Sequence, residues 1–166
     1  NPIEEIIEKA QAVGAKVMID GAQAAAHISL NMQSLGADFY CFSAHKLYGP
    51  TGVVILYEKE DVLNELPPYQ GSGEMIKEVS FKKTTYACLP HKFEAGTPNI
   101  AGIVAFKSAI DFITEIGLSN IAKYEEELLQ YATEEVLKIE GLKIYGTAKN
   151  KSGIISFNIN ELHPYD

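Results

Sequence analysis

Three short apolar runs near the amino end constrain the fold most: "KVMID" (16–20), "LGADFYCFSA" (35–44) and "GVVILYEK" (52–59). Each is of strand length and rich in β-branched or aromatic residues. Before them, Ile3, Ile6, Ile7 and Ala10 recur at helical spacing, with glutamates in the first turn to suit the helix dipole. Gly14 supplies the stop, and "AQAAAH" (22–27) continues the first strand as a helical turn. Helix, strand, helix, strand, strand predicts an α/β fold with a mostly parallel sheet, its strands covered on both faces.

Residues 67–98 have a different texture. "PPYQGSGEMI" (67–76) and "FEAGTPN" (93–99) are rich in Gly and Pro, and apolar positions between them are few. A loop of this length is functional or makes an interface. Two helices are expected next. The first, about 99–116, carries Ile103, Phe106, Ile110 and Ile113 on one stripe; the second, about 118–139, carries Ile121, Leu128, Leu129, Ala132 and Val136. Asn99 and Ser119 suit caps, and Gly141 ends the second helix. "LKIYG" (142–146) and "GIISFNI" (153–159) then read as two strands that begin a smaller domain. The expected division is 1–117, the later part of a large domain, and 118–166, a bridging helix with the first strands of a small α+β domain. "NPIEEIIEKA" at the start is unlike a signal peptide, and "NINELHPYD" follows a strand without a closing helix, so a longer parent is expected. An incomplete sheet in such a piece would expose an edge and an apolar face.

Composition narrows the partners. The net charge of −8, with no basic run, argues against nucleic acid or an anionic membrane as the main partner. No stretch approaches the roughly 18 apolar residues of a membrane span. Two cysteines, Cys41 and Cys88, and four scattered histidines suggest neither a disulfide framework nor a metal site. A reducing, cytoplasmic setting is expected, with Cys41 in the core of a strand.

The chemistry gathers at strand ends. Asp20 closes the first strand and is followed by Gly21 and Gln23. In open α/β sheets ligands bind outside the carboxyl ends of strands, so an acid there either meets a cationic ligand atom or caps its own turn. The second strand runs into Ser43, His45 and Lys46. Lys46 is either a solvated turn residue or an amine able to form a Schiff base with a carbonyl compound. If the two strands are parallel neighbours, one crevice holds a carboxylate, an amide, a hydroxyl, an imidazole and an amine. The spacing of Asp20 and Lys46, about 25 residues, matches the two anchors of pyridoxal 5'-phosphate (PLP), an Asp for the ring nitrogen and a Lys for the aldehyde carbon.

Five stretches, "MIDGAQAAAH" (18–27), "DFYCFSAHKLYGPTG" (38–52), "PPYQGSGEMI" (67–76), "HKFEAGTPN" (91–99) and "HPYD" (163–166), together resemble the class V aminotransferase family, in particular its Suf-type cysteine desulfurases. They span essentially the whole chain in order. The resemblance implies the type I aminotransferase-like fold of PLP-dependent transferases and a homodimer. It implies that Lys46 is the Schiff-base lysine and the proton carrier on the substrate carbon, and that Asp20 keeps the pyridine nitrogen protonated. It further implies that Gln23 bonds the phenolic oxygen, that Ser43 and His45 bind the phosphate, and that Thr97, after Gly96, reaches the phosphate in the neighbouring subunit. The implied reaction converts L-cysteine to L-alanine and an enzyme persulfide, with a sulfur-acceptor protein of iron–sulfur cluster assembly as partner.

The family's PLP-stacking histidine and an early phosphate-binding threonine fall before residue 1, and its persulfide cysteine and substrate-carboxylate arginine fall after Asp166. The chain has no arginine, and neither Cys41 nor Cys88 lies in the nucleophile's motif. The segment alone is therefore expected to be inactive. A selenocysteine lyase or another class V lyase or aminotransferase would use the same anchors, and a non-catalytic dimerisation and cofactor-docking piece is the alternative of another class. His27 is expected to be structural, His91 and His163 to lie in loops, Glu74 to have no chemical part, and the run Glu125–Glu127 to be a solvated helix face.

Overall fold

The computed structural model describes residues 1–146, 148, 151–163 and 165. Helix α1 (Ile3–Gln11) carries Glu4 and Glu5 in its first turn and Lys9 in its last, and it buries Ile7. Strand β1 (Met18–Asp20) follows. The short α2 (Met32–Leu35) is capped by Asn31, whose side-chain oxygen accepts from the N–H groups of Gln33 and Ser34, and it stops at Gly36 in the left-handed region. Strand β2 (Phe39–Ser43) passes into a 3-10 turn (Ala44–Leu47), and β3 (Val54–Glu58) returns. A one-and-a-half-turn helix, α3 (Glu60–Glu65), comes next.

The stretch expected as a long loop holds an antiparallel hairpin, β4 (Ile76–Val79) with β5 (Thr84–Tyr86), set between 3-10 turns. Helices α4 (Ile100–Ile116) and α5 (Leu118–Val136) meet at Gly117, and β6 (Leu142–Tyr145) pairs antiparallel with β7 (Ser156–Ile159). Asn99 caps α4 as expected, accepting from the Gly102 N–H at 3.1 Å; Gly117 rather than Ser119 precedes α5. Helix α5 ends at Val136, and Gly141, with φ of 78°, sits in the turn into β6.

The main sheet has the order β1-β2-β3. β1 and β2 are parallel, with Asp20 opposite Cys41, whereas β2 and β3 are antiparallel, with Ser43 opposite Val54. The mostly parallel sheet expected is thus mixed within this chain. The cause is the connection over 44–53, which carries no crossover helix; a parallel return needs a dozen residues or more, usually helical.

Covering on both faces is likewise corrected. Side chains alternate along a strand, so Ile19, Phe42 and Ile55 share one face of the sheet. Phe42 and Ile55 pack on a core of Ala26, Ala44, Leu47, Val53, Phe106, Ala109 and Ile113, and Ile19 packs on a second cluster of Ile7, Val17 and Ala37. α1 buries Ile7 and α4 buries Phe106, Ala109 and Ile113 on that side, while Ile6, Ile103 and Ile110 of the expected stripes stay exposed. The opposite face is left largely open, with Met18 59%, Val54 69% and Leu56 51% exposed.

One buried charge ties these pieces together. Asp38, 4% exposed, accepts from the Val17 N–H (2.9 Å) and the Gln11 amide (3.3 Å), and the Lys59 ammonium lies 3.4 Å away. Burial pushes the carboxyl upward, but Val17, Gln11 and Lys59 together outweigh it and hold Asp38 below its ordinary value. A depressed folded pKa means the stabilisation is complete above the unfolded carboxyl value, about 3.9, and is lost as pH falls through the folded value. Asp38→Ala is expected to cost about 2–4 kcal/mol at neutral pH, through a broken buried ion pair and orphaned donors. Urea melts of both proteins should differ at pH 7 and converge in strong acid; a gap independent of pH would show that the charge contributes nothing.

Candidate functional site

Asp20 ends β1 with its side chain exposed, and Oδ1 accepts the Ala22 N–H at 2.9 Å. It makes no other hydrogen bond among the described residues, so the carboxylate keeps acceptor capacity for a ligand. Gly21 has to be glycine: a Cβ there would lie 1.9 Å from Cζ and Oη of Tyr40, which is itself 1% exposed. The Gly21 N–H donates to the Cys41 carbonyl at 2.8 Å, fixing the strand exit to β2. The Tyr40 hydroxyl has no partner among the described residues, and burial, then Asp20 and Cys41, push the phenol upward.

From Gly21 the chain winds as consecutive turns. Ala24 and Ala25 donate to the Gly21 carbonyl at 2.9 and 3.0 Å, and His27 and Ile28 donate to the Ala24 carbonyl at 3.0 and 2.9 Å. Ala26 pins the segment into the core, and Gln23 stands exposed on it.

The parallel register carries β2 past the end of β1, so that Ser43 and the 3-10 turn project beyond Asp20 in the same direction. Three residues per turn put Ala44 and Leu47 on the same side. Both are buried, which turns His45 and Lys46 outward into solvent. Gly49 closes the turn by donating to the Ala44 carbonyl at 2.8 Å, where a Cβ would strike the Phe106 ring at 2.6 Å. The side chains of Ser43, His45 and Lys46 form no hydrogen bond or ion pair among the described residues. Asp20, Gln23, Ser43, His45 and Lys46 therefore come to one end of the sheet, as a parallel pair requires.

Gly96 and Thr97 do not join that group within this chain. They lie exposed just before α4, Gly96 at φ 84°, and no hydrogen bond links them to the Asp20–Lys46 end. Cys41 is only half-buried, on the open face of the sheet beside Asp20, which corrects the expected core position; Cys88 is exposed. His91 pairs locally with Glu94 at 2.9 Å. Pro164 and Asp166 of the "HPYD" stretch lie outside the described residues. Among the described residues no group of three or more His, Cys, Asp or Glu is placed to hold a metal, and no helix is long and apolar enough to cross a membrane.

Sequence reasoning missed one contact. Glu125 of α5 is not a purely solvated residue: its two oxygens lie 2.7 and 2.9 Å from Nδ1 of His27. The pair borders a cavity of about 260 Å³ that is also lined by Gln23, Leu128, Leu129 and Ile155. The partners stand 98 residues apart, so no local spacing signals them.

The sheet brings a carboxylate, an amide, a hydroxyl, an imidazole and an amine to one end, outside the carboxyl ends of its parallel strands, where open α/β sheets place their ligands. The family model described as aminotransferase class-V matches residues 1–166, and the chain belongs to that family. A cysteine desulfurase of Enterobacter sp. (strain 638) is 50% identical over 167 residues, which take in 100% of this chain and 41% of that protein. The crystal structure of an Escherichia coli cysteine desulfurase superposes with a TM-score of 0.88 at 35% identity, over 99% of this chain and 41% of that one. The apo cysteine desulfurase of Thermococcus onnurineus NA1 gives 0.88 at 36% identity, over 99% of this chain and 42% of its own. The chain thus spans about two fifths of the length of the curated relatives it matches. The fold class expected from the resemblance is borne out.

Proposed function

We propose that the chain is the central part of a PLP-dependent L-cysteine desulfurase of the Suf type, working as a cytoplasmic homodimer in sulfur mobilisation for iron–sulfur assembly. The observation that carries the proposal is the parallel pairing of β1 with β2, which opens Asp20 and the Ser43–Lys46 turn at one end of the sheet. Kinship with cysteine desulfurases over the whole chain supports the substrate.

The donor set fits PLP. An exposed carboxylate with spare acceptor capacity suits a protonated ring nitrogen, an unpaired primary amine suits an aldehyde carbon, and a hydroxyl beside an imidazole suits a phosphate. When bound, PLP supplies an electron sink for negative charge developing at the substrate carbon. In this reading Asp20 holds the ring nitrogen, Gln23 donates to the phenolic oxygen, and Ser43 and His45 hold the phosphate. Lys46 anchors the aldehyde carbon and carries a proton to and from the substrate Cα. Thr97, set by Gly96 and away from this end, reaches the phosphate in the neighbouring subunit. Residues 1–117 belong to the large domain and 118–166 begin the small one. The sulfur-accepting cysteine comes from outside these 166 residues, so the segment by itself is inactive, and a sulfur-acceptor protein takes the persulfide.

The test is covalent. The full-length protein loaded with PLP, reduced with borohydride and digested should carry the phosphopyridoxyl group on the Lys46 peptide; a label on any other lysine, or none, overturns the assignment.

A further inference from the structure

We propose that His27 and Glu125 form a positioning pair through which α5 holds the Asp20–Ile28 turn, and with it Gln23, in register with the cofactor end of the sheet; this rests on the function proposed above. The pair is not a surface accident. Its side chains are 32% and 28% exposed, and both carboxylate oxygens converge on one nitrogen at 2.7 and 2.9 Å. An ionised carboxylate only accepts, so the bond requires the proton on Nδ1 of His27. Partial burial strengthens such a bond relative to the same pair in open water.

Both sides of the bond are anchored. Leu118 and Ile121 of α5 pack on the core cluster, and Glu125 lies one turn further along the same stripe. His27 sits on a segment whose backbone is bonded at Gly21, Ala24 and Ile28 and whose Ala26 is buried in that cluster. This segment has two polar ends: Asp20, fixed to the Ala22 N–H, and His27, fixed to Glu125. Gln23 lies between them with no side-chain hydrogen bond of its own among the described residues, and it lines the same cavity as the pair. With neither neighbour bonded to its side chain, Gln23 is placed by the turn, which the backbone bonds at Gly21 and Ala24, the buried Ala26 and the Asp20 and His27 contacts hold together. The bond also crosses the proposed boundary at residues 117 and 118, so a shift of α5 against the sheet acts on the turn directly.

The test uses full-length protein, measuring the PLP dissociation constant, the cofactor absorbance band and the thermal midpoint of the apo-protein. His27→Ala and Glu125→Ala are expected to weaken PLP binding about tenfold, the value of one hydrogen bond, and to displace the band. Glu125→Gln, whose amide oxygen still accepts from Nδ1–H, should stay within about twofold. Glu125→Asp keeps the charge on a partly exposed helix position but is one methylene too short, so it should lose about threefold or more even if the alanine variants fail to fold. A merely structural pair would lower the apo midpoint and leave the constant and band at parental values; that result overturns the proposal. If the parent is labelled at Lys46 while Glu125→Asp binds PLP normally, the pair alone is refuted. If the parent takes no label at Lys46, the proposed function fails and the pair with it.

Discussion

Lys46→Ala in the full-length protein is expected to abolish covalent retention of PLP and to lower cysteine-dependent release of alanine by roughly 10²–10⁴, the range for losing a positioned acid–base group. The fold should survive. The 3-10 turn is held by buried Ala44 and Leu47 and by the Gly49-to-Ala44 bond, while the Lys46 side chain is exposed and contributes no hydrogen bond among the described residues. A surface substitution of this kind shifts stability by about 0.5 kcal/mol or less. Lys46→Arg separates charge from chemistry. The guanidinium stays positive beside Ser43 and His45, but it neither deprotonates near neutrality nor serves as an amine nucleophile. Its activity should therefore match that of Lys46→Ala, with PLP held noncovalently by the other residues. The two measurements are product release and borohydride-stable pyridoxyl content. Activity of Lys46→Arg within tenfold of the parent would remove Lys46 from the reaction.

Much of this geometry was legible because the relevant residues end their own apolar runs. Asp20 closes β1 and Lys46 lies in the 3-10 turn just after β2, and α4 announces itself through an apolar stripe of which the structure buries Phe106 and Ile113 but leaves Ile103 and Ile110 exposed. What the sequence hid is non-local. Whether β3 returns antiparallel depends on the path of 44–53, and whether Met18, Val54 and Leu56 are covered depends on what packs on that face, since alternation marks a strand without telling which side is sheltered. The hairpin of Ile76–Val79 with Thr84–Tyr86 is almost wholly exposed, so it lacks the alternating burial that reveals a strand. α3 is too short for a periodic stripe; only Val62 is buried, and its start is marked by Glu60 and Asp61. The His27–Glu125 contact joins residues that only the packing of α5 on the core brings together.

The second large effect is expected at Asp20, where structure and charge can be parted by one atom. The Ala22 N–H donates to Oδ1, and asparagine offers a carbonyl oxygen in the same place, so Asp20→Asn keeps the cap on the turn. Gly21 remains pressed on Tyr40 and bonded to Cys41, so the strand exit is unchanged. What disappears is the negative charge at the carboxyl end of β1. A neutral amide cannot hold a proton on a ring nitrogen as a carboxylate does, and removing one preorganised electrostatic partner costs about 10²–10³ in turnover. The thermal midpoint of the apo-protein should hardly move, and the absorbance band of bound PLP should change its pH response. Gln23→Ala, which removes a hydrogen bond but no charge, should cost about tenfold or less. If Asp20 does no more than cap its turn, Asp20→Asn retains at least a tenth of the parental activity and Asp20→Ala loses stability in step with activity; that pattern would return the residue to a purely structural role.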